Sequence, residues 1–113
     1  MITDKTKEGI IEHLKTTYTK MMMGSGGDSS NPASVVLDVP ISGSEVTVTA
    51  YESGNSIEFE GFVTGASLVG YNVKEVALYN SGLTQMMNRI TFENIGPFTS
   101  TDSLEVNIIM VVE

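Results

Sequence analysis

The chain has 113 residues, enough for one domain with a hydrophobic core and too few for two. It carries 14 acidic against 6 basic residues, a net charge of -8, with no cluster of Lys or Arg, so a phosphate backbone would be repelled and nucleic acid is a poor partner. Cysteine is absent, which removes disulfides and thiolate metal sites, and the longest apolar run, Ile108–Val112, falls far short of the ~20 residues that span a bilayer.

At the N-terminus Thr3 is a helix-capping residue, Asp4 suits the first turn of a helix dipole, and Ile10, Ile11, Leu14 and Tyr18 recur at helical spacing. Lys7, Glu8, Glu12 and Lys15 fall on the other side. The pattern predicts an amphipathic helix from about Asp4 to Thr16 or Thr17, with a polar face of both signs that suits packing on a sheet better than a membrane surface. No basic-then-apolar leader precedes it, so a soluble chain without membrane insertion is expected. Tyr18–Met23 then reads as a short strand, because Thr16-Thr17-Tyr18-Thr19 favours extended backbone and Gly24-Ser25-Gly26-Gly27 ends the element. Three consecutive methionines, Met21, Met22 and Met23, suit adaptable packing or subunit contact better than a thioether copper site, which spaces its methionines or adds histidine.

Gly24–Ala33 is a polar, breaker-rich loop. It lacks the Lys-Ser or Lys-Thr of a phosphate-binding loop, and Asp28, Ser29, Ser30 and Asn31 match no standard calcium spacing. The β region is expected to begin with Ser34–Val39 and to be stopped or kept at an edge by Pro40. Glu45–Tyr51 alternates, with Val46, Val48 and Ala50 inward; Ser56–Val63 does the same, with Ile57, Phe59 and Val63 inward and Glu58 and Glu60 outward. Ser53-Gly54-Asn55 between them is a hairpin signal, and the two strands should pair. Gly65–Gly70 reads as a packed crossover.

From Val73–Tyr79 the chain should run into a turn at Asn80-Ser81-Gly82, then a strand through Arg89–Glu93 with Ile90 and Phe92 inward. Ile95-Gly96-Pro97-Phe98 fits a bulge or a strand crossing. The last strand places Leu104, Val106, Ile108, Met110 and Val112 on one face, and its other face turns from Glu105 and Asn107 to Ile109 and Val111. Together these segments read as a three-stranded meander whose last strand is covered on both faces toward its end. The expected fold is mainly β with a minor α part: an antiparallel β-sandwich or sheet over residues 18–113 with one N-terminal helix packed on it, in a single domain.

Little in the chain points to catalysis. His13, beside Glu12 on the helix, has no nucleophile near it in sequence, and Gly24-Ser25-Gly26 is one residue too tight for a nucleophile elbow. Glu58 and Glu60, roughly 7 Å apart on one strand face, lie in a range that glycosidases use, but alternating charge on a solvated sheet face has the same spacing. No enzyme activity, cofactor or metal is expected.

The order of segments resembles the small modules of tail-fibre, collar and baseplate-associated proteins of tailed bacteriophages and related viruses. The matching segments are Ile2-Thr3-Asp4-Lys5-Thr6-Lys7-Glu8-Gly9, the strand and loop Met21–Gly27, Leu37-Asp38-Val39-Pro40, the strand and turn Val73–Gly82, Arg89-Ile90-Thr91-Phe92, and Leu104–Val112. Ala77 stands where those modules have Gly, and no fibrous or receptor-binding extension follows Glu113, which suits an adaptor or fibre base. The resemblance implies a virion structural protein, assembled in the host cytoplasm and located at tail, collar, baseplate or fibre base, that forms a homo-oligomer and touches other virion structural proteins. Candidate subunit-contact residues are Met21, Met22, Met23, Phe62, Tyr79, Ile109 and Val111. An alternative is a carbohydrate-binding β-sandwich module that meets a host-surface glycan through Tyr51, Phe62, Tyr71 and Tyr79.

Overall fold

The computed structural model describes residues 3–26, 37 and 39–113. Helix α1 spans Asp4–Thr17, and the Thr3 hydroxyl caps it by accepting from the Thr6 N–H at 3.3 Å. Ile11 is buried, Leu14 packs beside it, and Lys15 reaches Glu52 at 3.3 Å. Among the described residues seven strands follow: β1 (Tyr18–Gly24), β2 (Val46–Thr47), β3 (Thr49–Ser53), β4 (Ser56–Thr64), β5 (Val73–Asn80), β6 (Met86–Ile95) and β7 (Ser103–Val111). They form two antiparallel sheets, one ordered β2-β1-β5-β6 and the other β3-β4-β7. The molecule is therefore mainly β, a sandwich with one helix packed against it, as the alternating pattern predicts.

Alternate residues of the two sheets meet in one core. Met21 and Met23 of β1 stand opposite Leu78 and Val76 of β5, and Ile57, Phe59 and Val63 of β4 face them with Ile108 of β7. Gly61 lets the sheets close, since a Cβ there would come within 2.8 Å of Met21 Sδ. The connection after β4 turns through a short 3-10 helix, Gly65–Ser67, and seats Leu68 in the core while Ala66 and Val69 stay exposed. Ser44, fully buried, holds the approach to β2: its hydroxyl accepts from the Met23 N–H at 3.0 Å and lies 2.7 Å from the Ile41 carbonyl.

Two connections differ from the sequence reading. Glu45–Tyr51 keeps its alternation but is not one strand; it breaks at Val48, where the chain leaves β1 in one sheet and joins β4 in the other. The C-terminal stretch is not a meander either. β5 and β6 pair, whereas β7 crosses to the opposite sheet and pairs with β4 through nine positions. Period fixes which face of a strand is buried and leaves its neighbour open, and the crossing falls at Gly96, whose φ of +142° turns the chain after β6. Of the expected strand Ser34–Val39 only Leu37 and Val39 are described, and neither lies in a strand; the rest of it and most of the loop Gly24–Ala33, including the Asp28-Ser29-Ser30-Asn31 segment, lie outside the described residues.

Candidate interaction surface

Each sheet has an outer face, and the two differ in kind. On the β2-β1-β5-β6 sheet, Glu75, Ala77 and Tyr79 of β5 point away from the core, yet all three are buried. Leu37 covers Ala77 and Tyr79, packing with them and with Met22, Leu83 and Met86 into a second apolar cluster. Leu37 N–H donates to the Tyr79 hydroxyl at 3.0 Å, and Glu75 Oε2 accepts from the Gly26 and Val39 N–H groups at 3.0 Å each. One carboxylate oxygen thus ties together the two ends of the segment between β1 and residue 39. Burial raises the Tyr79 pKa above its ordinary value of 10.0, the Leu37 N–H lowers it, Glu75 raises it and Arg89 lowers it, with a net upward result.

The outer face of the β3-β4-β7 sheet is open. Tyr51, Glu58 and Ile109 form one cross-strand row; Thr49, Glu60 and Asn107 form the next; Phe62 stands opposite Glu105, and Val111 opposite Ser56. Phe62, Ile109 and Val111 are 56%, 63% and 55% exposed, high values for large apolar side chains. The three strands contain no Lys, Arg or His, so the charges on this face are carboxylates alone.

The candidate contact residues divide accordingly. Phe62, Ile109 and Val111 share one exposed face, whereas Met21, Met23 and Tyr79 are at most 3% exposed and belong to the chain's own packing. Met22 is half-buried in the second cluster. The alternation of β1 sends Met21 and Met23 into the core, and Leu37 covers Tyr79. Of the aromatics considered for sugar stacking, Tyr51 shares the open face with Phe62, Tyr71 is exposed elsewhere, and Tyr79 is withdrawn. Glu75, which the sequence reading passed over, is the one buried carboxylate among the described residues; the unbroken apolar run Val76-Ala77-Leu78-Tyr79 beside it was the available sign of burial on both faces.

His13 is exposed on α1, 3.5 Å from the Thr17 hydroxyl. A shallow depression between α1 and the β3–β4 turn is lined by Asp4, Lys7, Glu8, Gly54 and Asn55. Among the described residues no three His, Asp or Glu side chains gather to hold a metal ion, and no helix is long and apolar enough to cross a membrane. No protein-family model matches the chain, and no curated protein is measurably similar to it.

Proposed function

We propose that the chain is a structural module of a tailed-virus particle, an adaptor or attachment piece at tail, collar, baseplate or fibre base that assembles with copies of itself and binds neighbouring virion proteins. In this reading it acts by surface contact and has no catalytic role. The observation that carries it is the open face of the β3-β4-β7 sheet, where Phe62, Ile109 and Val111 expose apolar area that assembly would cover. The order of sequence segments supports the same reading.

Light scattering after size exclusion, over a range of protein and salt concentrations, tests it. A defined trimer, hexamer or dodecamer is expected. A monomer at every concentration that also fails to join particles reconstituted from candidate virion proteins sinks the proposal.

Tyr51 and Phe62 on one exposed face support a second reading, a carbohydrate-binding module used in adhesion to a host surface. A glycan array in which binding disappears with Tyr51→Ala and Phe62→Ala would favour it, and a blank array would end it.

A further inference from the structure

The two sheets have four edges, and three of them are blunted by means that proteins use against unwanted pairing. β2 has two residues only. β3 carries Glu52 on the side that stands opposite core-facing Ile57, held by Lys15 of α1. β6 pairs with β5 through a register that shifts twice. β7 has none of these: its nine residues pair with β4 without a shift, it contains neither Pro nor Lys, and among the described residues no strand pairs with its other side.

The ladder fixes what that edge offers. Gly65 N–H donates to Asp102 C=O and Val112 N–H to Asn55 C=O, at the two ends of the β4–β7 register. Hydrogen-bonded pairs alternate along an antiparallel ladder, so Leu104, Val106, Ile108 and Met110 bond to β4, and Glu105, Asn107, Ile109 and Val111 aim their N–H and C=O groups at the open edge. These same four residues present their side chains on the open face. A strand added here would therefore set its outward side chains beside Glu105, Asn107, Ile109 and Val111.

We propose that the edge of β7 and the acidic face beside it dock a basic, strand-forming segment of a neighbouring protein, which joins the sheet as a fourth strand. Charge selects the occupant. Glu58, Glu60 and Glu105 share the face, no cation stands on the three strands, and the whole chain is at -8, so the same face of a second copy turned onto this one would set carboxylate against carboxylate, and copies that assemble here must meet it head-to-tail with another part of their surface. The fitting segment alternates, with Lys or Arg beside Glu105 and apolar residues beside Ile109 and Val111. The proposal rests on the assembly reading only for where the neighbour comes from.

Fluorescence anisotropy with two short labelled peptides tests it. Both have valine at positions one and three and threonine at five; one has lysine and the other glutamate at seven. The lysine peptide is expected to bind the intact chain roughly five- to tenfold tighter than the glutamate peptide at low salt. Asn107→Pro, which removes an N–H aimed at the open edge and leaves the bonds to β4 in place, should abolish binding while the circular dichroism is kept. Glu105→Lys, a surface change that does not touch the ladder, should reverse the preference. Equal binding of the two peptides, no binding of either, or a dimer of the intact chain that Asn107→Pro dissolves would overturn the proposal, the last because a second copy would then be the occupant. If the chain forms defined oligomers while both peptides fail, the assembly reading survives and this one falls; if the lysine peptide binds a chain that never joins a particle, the reverse holds.

Discussion

Gly24 lies directly beneath the side chain of Glu75: a Cβ at position 24 would come within 2.5 Å of Glu75 Cγ and Oε2. The two residues are register partners across β1 and β5, and the missing side chain of one leaves room for the carboxylate of the other to lie flat and reach Gly26 and Val39. Gly24→Ala should therefore cost about 1 to 3 kcal/mol, as overpacking of a closed site does. Gly9 is the control, because a Cβ there meets nothing within 4 Å and the residue sits inside α1. Gly9→Ala should stabilise by about 0.5 to 1 kcal/mol. Urea denaturation of the two variants should show shifts of opposite sign.

Glu75 itself should matter through the two N–H groups it accepts. In Glu75→Ala both lose their acceptor in a part-buried setting, and the expected loss is about 2 to 3 kcal/mol. Glu75→Gln keeps one carbonyl oxygen and should lose less. Limited proteolysis gives the local readout: cleavage between residues 26 and 39 should accelerate more than global unfolding does in Glu75→Ala, and equal acceleration of all sites would refute a clamp at this position.

Tyr79 makes the stability depend on alkaline pH. Its folded-state pKa is raised above 10.0, chiefly by burial, so the folded chain keeps the phenol proton at pH values where the unfolded chain releases it. The Tyr79 contribution is complete below pH 10.0 and is lost as pH rises through the higher folded-state value. Tyr79→Phe keeps the ring in its cluster but leaves Leu37 N–H without this acceptor, which should cost about 1 to 3 kcal/mol at neutral pH. The variant should also lose stability less steeply above pH 10.0, a difference that thermal melts in a series of alkaline buffers would show.

How much of this was legible before the fold follows from what periodicity encodes. Ile57, Phe59 and Val63 alternate with Glu58 and Glu60, so the faces of β4 could be read directly, and Thr3 with Asp4 marked the start of α1. Which strand β7 would join was not in that signal, since Leu104 to Val112 presents the same apolar face to either sheet. The burial of Glu75 and Tyr79 was hidden for a different reason. Outward positions on a strand are buried only when another segment lies over them, and the cover at Leu37 is distant in sequence. Met21 and Met23 were assigned to contact because three methionines in a row disguise a period of two.

Phe59 and Phe62, three positions apart on β4, should separate stability from assembly. Phe59 is fully buried opposite Ile108 and Ala50, so Phe59→Ala removes a core ring and should cost about 3 to 5 kcal/mol. Phe62 points the other way and is 56% exposed, so Phe62→Ala should change stability by no more than about 0.5 kcal/mol. If the open face is an assembly surface, the silent substitution is the one that weakens association. Light scattering should then find smaller particles for Phe62→Ala at equal protein concentration, while its thermal midpoint stays at that of the parent. A Phe62→Ala chain that keeps both midpoint and oligomer would move the assembly contact off this face.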